Sequence, residues 1–206
     1  MKVTLPESIE DITLGQYQDY IKLSDKLEAK EITERDFINS KIALFSGIDK
    51  SLIDDIYHRD LEYLKSHIDT ALNEDSPFVN RFFLDGVEFG FIENLDNISS
   101  AEYFDMSSYG TDVETLHKLM AVLFRPIKKK DKTGNYKIKK YKGSVKYGDL
   151  MKEMPLSIVN GALVFFWNLS KELEIYIQKF TIQQQQRVEE LQTTLSNGDG
   201  IAQSMN

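Results

Sequence analysis

The chain has 206 residues, of which 41% are hydrophobic and 28% charged, an ordinary globular balance with room for one domain or two small ones. It contains no cysteine, which excludes disulfides, thiolate nucleophiles and cysteine-based zinc sites and is compatible with a reducing compartment. The formal net charge is −8, but residues 125–146 hold nine Lys, one Arg and one Asp, so that stretch carries +9 and the remainder −17. This describes an acidic body with one basic arm.

In chain order, Met1 to Glu7 offers no apolar stretch suited to a signal peptide. Thr13 and Gln16 fit a capping box, and Leu14, Tyr17, Ile21 and Leu23 follow with helical spacing. Thr33 opens a second helix with Phe37, Ile38, Ile42 and Phe45 on one face, and Gly47 is its expected stop. Asp49 is expected to cap a short helix containing Leu52, Ile53 and Ile56. Asp60 is expected to cap another with Leu61, Leu64, Ile68 and Leu72.

After Pro77 the character changes. Asp85-Gly86 stands between two β-prone runs, a hairpin signal, and a lone hairpin must pack on helices or gain a further strand. Ser99 with Glu102, and Thr111 with Glu114, read as two more capping boxes. The second leads into Val113, Leu116, Met120 and Leu123, and Arg125-Pro126 ends that helix. Within the basic arm, Lys132 to Asn135 reads as the turn of a second hairpin with Tyr136, Ile138 and Tyr141. From Pro155 to about Ser196 the pattern is helical, apolar nearly all round at first and so expected to be central to the core. Its most apolar run, Leu156 to Leu169, spans about 14 residues where a membrane crossing needs roughly 20.

The fold expected is therefore mainly α with small β-hairpins, an α+β protein with a helical core around a long C-terminal helix. Residues 1–76 form an N-terminal helical region. Residues 77–196 hold hairpins and helices packed with the first part as one unit, and residues 197–206 form a flexible tail.

The residues that could carry chemistry are few. His58 and His67 fall on separate short helices in this reading, near Asp54, Asp55, Asp60 and Asp69, and read as a solvated surface in preference to a metal site. Glu93 to Asn97 lacks the glycine and late glutamate of a calcium loop and reads as a turn. No catalytic constellation stands out and there is no Gly-rich phosphate loop; no catalytic residue, metal or cofactor is expected. The basic arm offers Lys128, Lys129, Lys130, Lys137, Lys139 and Lys140 for a solubilised hairpin, an acidic protein surface or a phosphate backbone. Val188, Leu191 and Leu195 form a late apolar seam with little chain left to cover it, and partner binding is favoured there.

Some segments resemble proteins of tailed bacteriophages. Ile12-Thr13-Leu14-Gly15-Gln16-Tyr17-Gln18-Asp19-Tyr20 is similar to the opening of small tail assembly chaperones. Phe45-Ser46-Gly47-Ile48-Asp49, Ile53-Asp54-Asp55-Ile56 and Asp60-Leu61-Glu62-Tyr63-Leu64 resemble their series of helix, Gly-hydrophobic step, short helix and Asp-capped helix. Leu116 to Ile127 and Met154 to Trp167 look like segments of structural or assembly proteins from large marine and gut tailed phages. The two resemblances cover roughly residues 9–74 and 111–170. The chain departs from small chaperones in its length, its two hairpins and its long C-terminal helix.

The resemblance implies no catalytic residues. It implies a non-catalytic protein that acts in tail assembly by binding tail, tape-measure, portal or neck proteins, in the host cytoplasm during assembly or in the virion. The alternative is a structural component of the neck, portal or tail region that forms a ring, a homo-oligomer in which the acidic body of one copy meets the basic arm of the next. Neither reading involves a membrane, and the −17 balance outside the arm disfavours nucleic acid.

Overall fold

The computed structural model describes residues 4–94 and 98–168. The chain divides into two units, residues 1–162 and 163–206.

In the first unit, helices alternate with one sheet. A 3-10 turn at Ile9–Asp11 precedes α1 (Leu14–Glu28), α2 (Glu34–Ser46), α3 (Lys50–Ile53) and α4 (His58–Leu72). Local signals start and stop most of them. Thr13 Oγ1 accepts from Gln16 N at 3.2 Å while the Gln16 side chain accepts from Thr13 N at 3.0 Å. Gly47 ends α2 in the left-handed region at φ 67°, and the Asp49 carboxylate caps α3 by accepting from Ser51 N at 2.9 Å. The Asp60 cap is corrected: α4 begins at His58, and Asp60 lies in its first turn, where its charge still suits the positive end of the helix. His58 and His67 consequently share one helix. Leu64, Ile68 and Ala71 form the buried stripe of α4. The ammonium of Lys41, almost fully buried, pairs with Asp69 of α4 and lies 5.4 Å from the centre of the Tyr20 ring, which ties α2 to α4 and α1.

The two hairpins join into one antiparallel sheet of order β1-β2-β3-β4: Arg81–Leu84, Val87–Phe91, Phe124–Lys130 and Tyr136–Ile138. Asp85 (φ 48°) and Gly86 (φ 69°) both have positive φ, as a two-residue turn of this handedness requires. Between β2 and β3 the chain forms α5 (Ser100–Tyr109) and α6 (Leu116–Leu123). Ser99 and Glu102 make the expected capping box. Thr111 does not cap; Asp112 does, accepting from Glu114 N at 2.9 Å to start a 3-10 turn, Val113–Thr115, that runs into α6. Two adjacent cap-forming side chains compete there, and the one nearer the turn makes the bond.

The core is built on α6 and the sheet. Every residue from Leu116 to Phe124 except Lys118 is buried. Phe124 meets the rings of Phe82 and Phe91 edge-on at 5.2 and 5.1 Å, and Phe82 stacks on Phe89 at 5.7 Å. A further short helix, α7 (Val145–Gly148), and a 3-10 turn at Leu150–Glu153 bring Met151 and Met154 into this core. An isolated bridge, Thr13 with Pro155, pins the start of α1 beside the start of the last helix.

That last helix begins at residue 156, and Leu156, Val159 and Ala162 are buried. Gly161 passes so close to residue 77 that a Cβ there would lie 2.4 Å from the Pro77 carbonyl oxygen. Of the second unit, residues 163–168 are described; they are helical, with Val164 60% and Trp167 63% exposed. Within residues 156–168 the buried hydrophobic side chains are Leu156, Val159 and Ala162, so this described part of the helix is not buried all round. Its expected course to 196 and the tail 197–206 lie outside the described residues. Among the described residues no helix is long and apolar enough to cross a membrane.

Candidate protein-binding surface

The β3–β4 hairpin presents a lysine-rich surface. Strand β3 continues directly from α6, because Arg125 precedes proline and must be extended. Phe89, Gly90 and Phe91 of β2 pair with Pro126, Arg125 and Phe124, so the buried half of β3 fixes where its lysine-rich half emerges. At the tip, the Asp131 carboxylate accepts from Thr133 N at 2.8 Å, Thr133 Oγ1 at 2.7 Å, Asn135 N at 2.9 Å and Asn135 Nδ2 at 3.1 Å. The bonds from Thr133, then those from Asn135, hold this carboxyl below the usual aspartate range.

Lys128, Lys129, Lys130, Lys137, Lys139 and Lys140 are all exposed. The register of β3 shifts between Ile127 and Lys129, a bulge. Beyond it Lys129 is the direct partner of Lys137, and Lys130 of Tyr136. Lys130 pairs with Glu88 of β2. Tyr136 lies across β2 on the other face from Lys129 and Lys137. Its hydroxyl donates to the carbonyls of Asn80 and Phe91 at 3.2 and 3.1 Å, and its ring covers Gly90.

Arg125 does not belong to the basic arm. Its guanidinium lies 2.7 Å from Glu102 of α5, with the two side chains 11% and 9% exposed, and 5.8 Å from the centre of the Tyr141 ring. The other Glu102 oxygen accepts from Ser99 N at 2.7 Å and Ser99 Oγ at 2.6 Å. The Tyr141 hydroxyl donates to Asp105 of α5. Burial first, then Asp105, pushes that phenol well above its ordinary value. This cluster fastens α5 to the sheet and to the chain that leaves β4. Tyr141 lies beyond the strand it was expected to join.

On the far side of α5, Tyr103 and Phe104 stand out from the surface, Phe104 69% exposed. Phe83 in β1 is 70% exposed, and Tyr57 at the start of α4 is 80% exposed. Sequence reading passed over these aromatics. For Phe83 a signal existed: in the hairpin register, Phe82 and Phe83 must point to opposite faces.

Two of the three histidines, His67 and His117, have close partners. His67 Nε2 lies 3.0 Å from the Pro6 carbonyl oxygen and its ring stacks on Tyr63. His117 is buried, with Nδ1 3.1 Å from Gln18 Nε2. Among the described residues no group of three or more His, Asp or Glu is placed to hold a metal ion. An open groove of about 640 Å³ along α4 is walled in part by Glu62, Asp69 and Glu74. Each of these carboxylates is engaged, with Lys65, Lys41 and the Ile9 N–H respectively. Glu93 of the acidic turn accepts from Ile138 N at 3.1 Å, while residues 95–97 lie outside the described residues. So do Val188, Leu191 and Leu195.

No family model matches the chain, and comparison with curated proteins and with solved structures gives no match. The functional reading therefore rests on the residues themselves. Those residues are cationic Nζ groups at a hairpin and exposed aromatic rings in α5, in β1 and at the start of α4.

Proposed function

We propose that this chain is a non-catalytic protein of tailed bacteriophages that acts in tail assembly by binding other proteins, in the manner of a tail assembly chaperone. The observation that carries the reading is the set of large aromatic side chains left in water: Phe83, Phe104 and Tyr57 are each about two-thirds exposed or more. An exposed aromatic ring gives up the stabilisation of burial, roughly 1.5–3 kcal/mol for a side chain of this size. Tyr and Phe are enriched where protein surfaces meet, and apolar groups held at a surface mark such contacts. The tail is suggested by the resemblance of residues 9–74 to tail assembly chaperones, and a tailed phage more broadly by that of residues 111–170 to structural or assembly proteins. On this reading the partners are tail, tape-measure, portal or neck proteins, and the place is the host cytoplasm during assembly. No cofactor takes part.

Quantitative mass spectrometry of purified particles tests it. An assembly factor is expected to be abundant in infected cells and missing from mature particles. A fixed copy number in finished particles overturns the chaperone role and assigns the chain a permanent place in the neck, portal or tail.

A further inference from the structure

The β3–β4 hairpin puts lysines where an isolated sheet disfavours them. Lys129 and Lys137 are direct cross-strand partners, so their side chains leave one face side by side. Like charges opposed in this way destabilise a sheet. Lys128, Lys139 and Lys140 add charge within the same short element. Of these lysines and their neighbour Lys130, only Lys130 has an acidic partner among the described residues. Asp131, the acid at the tip, is turned to the loop amides and hydroxyl instead. Among the described residues nothing else relieves the repulsion, and an external anionic surface is the natural counterpart.

We infer that this hairpin docks onto the acidic helical surface of a second copy of the chain. Residues 4–76, which hold α1 to α4, carry 17 Asp and Glu against 8 Lys and Arg. Each copy therefore holds both halves of a complementary pair. The two halves are different patches, so the contact runs head to tail, the hairpin of one copy on the helices of the next. Phosphates would also attract the lysines, but the −17 carried by the rest of the chain repels a polyanion, whereas a second copy meets the hairpin with charge of opposite sign. This contact is separate from the binding of a different protein proposed above, and each can fail without the other.

Sedimentation velocity of the full chain across a salt series tests the inference. Association is expected at about 20 mM salt and reversal to monomer by about 500 mM, as the screening length contracts. Lys129→Glu with Lys137→Glu is expected to weaken association by about ten-fold or more with an unchanged circular dichroism spectrum. Lys129→Gln with Lys137→Gln, a milder pair, should give a smaller loss in the same direction and covers disturbance of the hairpin by the glutamates. A zero-length carbodiimide cross-linker should join lysines of 128–140 to Asp or Glu of residues 4–76 between copies. A monomer at low salt, association unchanged in both variants, or intermolecular cross-links confined to other segments overturns the inference. So does a chain that stays monomeric while these lysines bind duplex DNA.

Discussion

Arg125 and Glu102 form an ion pair of 2.7 Å with both side chains about nine-tenths buried, and this pair joins the sheet to α5. Glu102 is fully engaged, by Arg125 on one oxygen and by the Ser99 cap on the other. Removing the carboxylate leaves a buried guanidinium with no counter-charge, the costly way to break such a pair. Glu102→Gln is therefore expected to lower unfolding free energy by about 3 kcal/mol in urea titration, at the low end of the usual range because one-tenth of each side chain meets water. A loss below about 1 kcal/mol would show that the pair is screened as a surface pair is.

Gly90 is required by its neighbour across the sheet. A Cβ at that position would lie 2.5 Å from Cε2 of Tyr136, whose ring is held by hydroxyl bonds to Asn80 and Phe91. Gly90→Ala is expected to cost about 1–3 kcal/mol through overpacking. Adding Tyr136→Ala should make the double variant less unstable than the sum of the two changes, since the clash vanishes with the ring. Strict additivity in thermal unfolding would contradict this contact.

Stability should fall as His117 is asked to take a proton. Gln18 Nε2 lies 2.6 and 3.0 Å from the carbonyls of Val113 and Glu114, which can only accept, so its N–H groups donate there, and it lies 3.1 Å from Nδ1 of His117. Burial first, then Lys152 and Lys118, holds the imidazole below its ordinary value of 6.5. The unfolded chain thus protonates first as pH falls. The contribution is whole above pH 6.5 and is lost as pH drops toward and through the lower folded value. Urea unfolding between pH 7.5 and about 5 should show this decline, and it should flatten in His117→Gln. A wild-type profile that rises on acidification contradicts the assignment.

Phe83 and Phe104 should matter little to the fold. Both are exposed, so Phe83→Ser and Phe104→Ser are expected to change unfolding free energy by less than about 0.5 kcal/mol. A loss of several kcal/mol would place them in packing and remove the observation that carries the proposed function.

Much of the fold was legible because its signals are local. Thr13 with Gln16, Gly47, and Asp85-Gly86 each act within four residues, and each does what its chemistry predicts. Adjacent caps were harder: Thr111 and Asp112 differ by one position, and only the path of the following turn decides between them. Non-local pairing was not readable. Nothing near Arg125 says that it lies opposite Gly90, so it was counted with the basic arm rather than with Glu102. The exposure of the six lysines could be expected from charge alone. Their sharpest feature, Lys129 opposite Lys137, depends on the bulge after Ile127, which shifts the register and leaves no mark in the periodicity. The surface aromatics were hidden for a similar reason, since which face of an element meets the core is fixed by partners distant in sequence.

The claim that this chain acts by binding proteins is tested most directly by purifying the intact, tagged chain from infected cells with nuclease present and weighing what comes with it. The account predicts a tail or tape-measure protein in near-stoichiometric amount, diminished by Phe83→Ser with Phe104→Ser. Recovery of the chain with no protein partner, or with nucleic acid alone when nuclease is omitted, would contradict it.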